Sequence, residues 1–238
     1  MDEKRNDRFI KKLGEDKRLR EISREWIGKT ADYEYGYHFR WMGRPVIQLP
    51  QDILAMQELI WELKPDLIIE TGIAHGGSLI FYASMLELVG DEGKVLGLDI
   101  DIRTANWAEI VRHPMASRIV MIEGSSIEPR VAEKVRAIAQ GKRCVLVCLD
   151  SNHTHDHVLK ELKLYAPLVT KGSYCVVFDT IIEDVHGGHT DRPWGKGNNP
   201  KTAVHAYLKT TNRFRIDKRI EDKLVLTVCP DGYLKRVK

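Results

Sequence analysis

The sequence predicts an α/β fold with one mostly parallel central sheet, helices on both faces and a C-terminal antiparallel strand pair. Three observations carry this reading. From residue 51 to about 211, short apolar runs alternate with segments of helical periodicity. The apolar runs are continuous, as strands covered on both faces require. The connections between them are short, as in doubly wound sheets.

Taken in order, residues 51–63 (QDILAMQELIWEL) space their apolar side chains three and four apart and predict a helix. The expected strands are 67–71 (LIIET), 94–99 (KVLGLD), 118–123 (RIVMIE), 144–150 (CVLVCLD) and 173–179 (SYCVVFD). Helices are expected at 77–89, 104–112, 128–139, 155–167 and near 200–211. Strands at 213–219 and 223–229 are expected to form the antiparallel pair. Residues 51–238 read as one domain, preceded by an extension at 1–50. Within it, residues 1–30 are highly charged, and Phe9, Ile10, Leu13, Leu19 and Ile22 suggest a solvated amphipathic helix or a dimerisation arm. Residues 31–50 hold Tyr33, Tyr35, Tyr37, Phe39 and Trp41, which suit a strand with one apolar face or a loop folded over a ligand.

Composition narrows the partners. The 37 basic and 34 acidic residues leave a formal charge of +3, too weak to argue for nucleic acid or an anionic membrane. No apolar run approaches the ~18 residues that span a bilayer, and the charged N-terminus lacks a signal-peptide core. The four cysteines contain no C-x-x-C pair, so Cys144, Cys148, Cys175 and Cys229 read as buried thiols in a reducing compartment. A cytoplasmic protein, with a homo-oligomer suggested by the extension, is the expectation.

The most informative stretch is Ile68-Ile69-Glu70-Thr71-Gly72-Ile73-Ala74-His75-Gly76-Gly77-Ser78. A strand ends, a glycine turns the chain, and a helix begins after two more glycines. Backbone without Cβ admits a ligand closely, and a new helix offers free N–H groups. The G-x-x-x-G-G spacing differs from the G-x-G-x-x-G of dinucleotide binders. Glu70 would repel a pyrophosphate and welcome a cationic sulfonium ligand with a free amino group. The pattern resembles the first motif of class I S-adenosylmethionine-dependent methyltransferases, of Rossmann-like fold. That likeness implies that Glu70 and the Gly72 backbone hold the methionine end of the cofactor, with Ala74, Gly76 and Ser78 completing the turn. Asp99, at the end of the second strand, is placed to accept the ribose hydroxyls, and Asp101 could instead cap the next helix. Ser125 and Ser126, after the third strand, are expected beside the adenine.

The fourth strand ends in Asp150-Ser151-Asn152-His153 and the fifth in Asp179-Thr180. Strand ends of an open α/β sheet share one crevice, and two carboxylates there repel unless a cation such as Mg²⁺ or Ca²⁺ sits between them. A metal would bind a substrate hydroxyl and lower its pKa, and His153 is the candidate base that takes the proton. Asp150 is thus expected at the metal, the cofactor and the reaction. The run His153-Thr154-His155-Asp156-His157 also suggests a zinc hydrolase, although it falls one residue short of the H-x-H-x-D-H pattern.

The chain resembles the cephalosporin hydroxylase family, which includes rhamnosyl O-methyltransferases and the methyltransferase of cephamycin biosynthesis. The likeness rests on ETGIAHGGSL (70–79), LDSNHTHDHV (149–158), FDTIIED (178–184), RPWGKGNNPKTAV (192–204) and PDGYLKR (230–236). It implies Mg²⁺-assisted O-methylation of a sugar or natural-product hydroxyl, with Asp150 and Asp179 as metal ligands. The chain departs from that pattern at Phe178, where the cephamycin-type enzyme has an acidic residue; Thr180, Glu183 or water would have to substitute. The polar, glycine-rich loop Val185–Asn199 is expected to close over the acceptor on hinges at Gly187, Gly188, Gly195 and Gly197. Trp194 would lie against the sugar and Asn198 would be a substrate contact, with Asn199-Pro200 starting the next helix. Two other readings stand beside this one. One is a nicotinamide-dependent oxidoreductase, the other a non-catalytic binding protein on the same scaffold.

Overall fold

The structure is a computed structural model that describes residues 2–90, 92–185 and 191–238. The chain opens with α1 (Glu3–Glu15) and α2 (Lys17–Ala31), a 3₁₀ turn (Tyr35–His38), a hairpin of β1 (Arg40–Trp41) and β2 (Arg44–Pro45), and α3 (Pro50–Leu63). The main sheet then begins with β3 (Leu67–Thr71), α4 (Gly77–Val89), β4 (Lys94–Asp99), α5 (Thr104–Arg112), β5 (Ile119–Glu123) and α6 (Pro129–Ala139). It continues with β6 (Val145–Leu149), α7 (His155–Tyr165), β7 (Tyr174–Val177), α8 (Pro200–Leu208), β8 (Phe214–Ile216), α9 (Lys218–Leu224) and β9 (Tyr233–Arg236).

The strand order is β5-β4-β3-β6-β7-β9-β8. Strands β3 to β7 pair in parallel, and β9 runs antiparallel between β7 and β8. The expected mostly parallel sheet with a C-terminal antiparallel pair is therefore present. Pleating divides the core in two. Ile68, Val95, Leu146 and Val176 face the side covered by α3 and α4, whereas Leu67, Ile69, Leu96, Val147 and Val177 face α6, α7 and α8. Strand order reverses between β3 and β6, so the crevice of an open α/β sheet opens at their C-terminal ends.

Two expectations need correction. The N-terminal segment is two helices, because Asp16 ends α1 and its carboxylate accepts the Leu19 N–H to start α2. Asp7 pairs with Arg219, and Ser23 donates to the Val225 carbonyl, fastening both helices to the C-terminal region. The expected strand at 223–229 is instead the end of α9 and a loop; the second antiparallel strand lies at Tyr233–Arg236. The apolar alternation of KLVLTVC misled because this segment bonds to a side chain rather than to a ladder. Buried Asp52 accepts the Val228 N–H at 2.9 Å, the Thr227 hydroxyl and the Tyr233 hydroxyl. Burial pushes the Asp52 carboxyl up to about 6, against the pull of those three donors. The aromatic stretch 31–50 is no continuous strand but the 3₁₀ turn and short hairpin. No helix among the described residues is long and apolar enough to cross a membrane.

Candidate active site

The glycine turn is built by close backbone approach. Gly72 has φ +90°, and a Cβ there would lie 2.0 Å from the Asp150 carbonyl oxygen. The Gly72 N–H donates to Leu98 at 2.7 Å, tying the turn to β4. Gly76, at φ +79°, precedes α4, and a Cβ on it would strike Ile110. Ala74 adopts φ +46° although it is not glycine. The Asp99 carboxylate holds this shape by accepting the N–H of Ile73 at 2.8 Å, of Ala74 at 3.2 Å and of Asp101 at 3.1 Å. Asp99 thus braces the turn, a role its sequence position did not signal. Asp101 makes no side-chain cap on α5.

Glu70 is fully buried beneath the turn. One oxygen accepts from Ser78 at 2.6 Å, while Oε1 has no partner. Burial pushes its carboxyl up to about 8, with the Asp99 charge adding to the rise. A buried carboxylate oxygen without a donor is a place for a ligand cation.

At the ends of β6 and β7, Asp150, His153 and Asp179 each present a ligand atom within 4.8 Å of the others. His153 Nε2 lies 3.2 Å from Asp179 Oδ2. Desolvation, then the Asp179 and Glu70 carboxylates, push Asp150 well above the usual carboxylate range. A cation between the carboxylates would remove that repulsion, so the donor set fits a divalent metal. Asp179 reaches this position through a left-handed backbone, φ 56°, which turns the chain out of β7.

Phe178 is buried in the core at 1% exposure, so the position that departs from the family pattern holds a packing residue. The suggested substitutes are committed elsewhere. Thr180 is buried against the Val228 carbonyl, and Glu183 accepts from Gly197 at 2.7 Å and Asn199 at 2.5 Å. His153 stands beside the two carboxylates, at the place where the sequence reading expects the base and a substrate contact.

Several other expected residues already have partners within the protein. Ser126 is buried, and its hydroxyl pairs with His157 at 3.0 Å. Ser125 stands at the turn above it, its carbonyl accepting the Glu128 N–H at 3.0 Å. His157 also lies 3.4 Å from Glu161, and His155 pairs with Thr202 at 2.7 Å. The three histidines therefore do not converge, and no zinc-hydrolase site forms among the described residues. Asn198 spends its amide on the His155 N–H and the Pro193 carbonyl, both at 2.9 Å. It staples the loop to α7. Asn199 caps α8 in a capping box with Thr202 and Pro200 at the first helical position, as expected. Gly187 and Gly188 lie outside the described residues.

Trp194 packs edge-to-face with the His153 ring, centroids 4.9 Å apart, and the Arg192 guanidinium lies 5.4 Å from its ring centroid. Trp194, Arg192, His153 and Asp179 line a cavity of about 450 Å³ together with Tyr35, Tyr37 and Gln48. Burial, then the Asp179 carboxylate charge, push the Tyr37 phenol up. The aromatic segment of the extension is thus a wall of the crevice. Only the alternative of a loop folded over a ligand anticipated this.

Comparison with known proteins bears on this geometry. The family model described as Rhamnosyl O-methyltransferase/CmcI matches residues 33–237. The Rhamnosyl O-methyltransferase of Mycobacterium tuberculosis is 34% identical over 192 residues, covering 78% of this chain and 73% of the relative. That of Mycobacterium leprae is 35% identical over 201 residues, covering 82% of each. The solved structure named cmcI-D160 Mg-SAM aligns with TM-score 0.61 and 18% identity, over 85% of this chain and 78% of that one.

Proposed function

We propose, from the premise that this chain belongs to the rhamnosyl O-methyltransferase/CmcI family, that it transfers a methyl group from S-adenosylmethionine to a sugar hydroxyl with the help of a divalent cation. The observation that carries the reading is the meeting of Asp150, His153 and Asp179 beside the glycine turn, with His153 and Asp179 lining the 450 Å³ cavity. S-adenosylmethionine supplies an electrophilic methyl carbon on a cationic sulfur. A bound Mg²⁺ supplies Lewis acidity that lowers the pKa of the acceptor hydroxyl.

The protein's own residues do the rest. Glu70, with Oε1 free of partners, receives the methionine ammonium, and Asp99 and the backbone from Gly72 to Ser78 set the turn against which the cofactor lies. Asp150 and Asp179 hold the cation. His153 takes the hydroxyl proton; Asp179 and Trp194 fix its imidazole from two sides. Tyr37 and Trp194 close the acceptor cavity and exclude water. The sugar acceptor is supported by the named activity of the mycobacterial relatives. Helices α1 and α2, which leave Phe9 and Ile22 about half exposed, are where a homo-oligomer contact would form.

The test is methyl transfer from S-adenosylmethionine to a panel of glycosides. The account expects loss of transfer with EDTA, return with Mg²⁺, and no return in Asp150→Asn. Full transfer by thoroughly metal-free enzyme would remove the cation from the scheme.

A further inference from the structure

Gln48 belongs to the segment before α3, outside the residues assigned above to any chemical role. Its side chain is buried at 3% exposure, and neither its amide oxygen nor its amide nitrogen closes a hydrogen bond. A buried amide with both ends unmet is costly, and native proteins rarely leave one so. Gln48 also lines the cavity that holds His153 and Asp179. It stands close enough to Asp150 to help hold that carboxyl's proton affinity down, and close enough to Tyr82 to act likewise on its phenol. Tyr82 in turn neighbours Glu70, and the Tyr82 hydroxyl and Glu70 Oε1 are unpartnered as well.

These orphaned atoms form one buried polar group under the glycine turn, and they divide by chemistry. Once ionised, Glu70 Oε1 accepts only, which makes it a place for a cation. The Gln48 amide N–H₂ and the Tyr82 O–H donate. A ligand that meets both sides carries an ammonium and a carboxylate on neighbouring atoms, which describes an α-amino acid end. We infer that Gln48 is a cofactor-binding residue, whose amide N–H₂ donates to the α-carboxylate of the methionine moiety while Glu70 faces its ammonium. The inference rests on the methyltransferase reading above and adds to it a specific contact from the N-terminal segment.

Two ligands separate this contact from a structural role. S-adenosylhomocysteine carries the amino acid end, and 5′-methylthioadenosine keeps the adenosine and sulfur without it. In calorimetric titrations, Gln48→Leu should weaken S-adenosylhomocysteine on the order of tenfold or more, the scale of a hydrogen bond to a charged group. It should leave 5′-methylthioadenosine affinity unchanged. The same substitution removes an unmet buried amide, so the ligand-free variant should melt no lower than wild type. Gln48→Asn, which keeps the amide but withdraws it, serves the same test if the leucine variant does not fold. Equal affinity of wild type and variant for S-adenosylhomocysteine would overturn the inference. So would an equal loss for both ligands, or a lowered melting temperature with unchanged affinity. Failure of the wild type to bind S-adenosylhomocysteine at all would instead overturn the methyltransferase reading on which the inference stands.

Discussion

The carbonyl oxygen of Asp150 occupies the space that a side chain on Gly72 would need, 2.0 Å from the Cβ position. The ends of β3 and β6 are therefore packed backbone to backbone, and the glycine is required by the protein before any ligand arrives. A side chain at this position meets Asp150 before any ligand is considered.

Gly72→Val should accordingly destabilise the fold. A left-handed φ and a main-chain clash together place the cost at several kcal/mol, about 3 or more. Thermal unfolding of the ligand-free protein checks this. A variant that melts like wild type and only loses cofactor would return the steric block to the ligand.

Glu70 gives a pH prediction with a defined sign. Its native pKa of about 8 lies above the ordinary 4.5. The native state then keeps a proton that the unfolded chain releases, so its stabilising contribution is complete below pH ~4.5 and is lost as pH rises toward 8. Glu70→Gln should flatten that part of the stability–pH curve. Ionised Glu70 opposite a ligand ammonium also predicts proton release on S-adenosylhomocysteine binding at pH 7. Titrations in buffers of different ionisation enthalpy measure it, and zero net release would sink the assignment.

Asp52 tests the packing of the segment that sequence patterning misplaced. Asp52→Ala leaves the Thr227 and Tyr233 hydroxyls and the Val228 N–H without their acceptor. A loss of about 3 kcal/mol in denaturant unfolding is expected, the scale of breaking a buried polar network. A loss below about 1 kcal/mol would mean that water replaces the carboxylate readily.

Trp194 touches His153 and lines the cavity, but none of its ring contacts reaches the glycine turn. Trp194→Ala should lower kcat/KM for the acceptor by about tenfold or more while leaving S-adenosylhomocysteine affinity unchanged. Trp194→Phe should recover part of the loss. A parallel loss of cofactor affinity would make Trp194 a structural anchor.

Much of the fold was legible because β3 to β7 are apolar on both faces and their helices carry clean periodicity. The site was legible where strand ends bring residues together, as with Asp150 and Asp179. Legibility failed where side chains replaced backbone partners. The alternation in 223–229 looks like a strand because nothing local announces that Asp52, far away in sequence, takes its hydrogen bonds. The partners of Asn198 and Ser126 were illegible too, because polar loop residues give no sign that His155, Pro193 and His157 bond to them. Gln48 went unread, and Tyr37 was legible only through the alternative of a loop folded over a ligand, because the extension folds back over the crevice, a tertiary fact without a local signature.

The measurement that tests the central claim most directly is isothermal titration of the unmodified protein with S-adenosylhomocysteine and, separately, with NAD. Saturable one-site binding of S-adenosylhomocysteine and no heat from NAD is the predicted result. Binding of NAD with none of S-adenosylhomocysteine would contradict the account at its base, because the glycine turn over Glu70 would then hold a pyrophosphate.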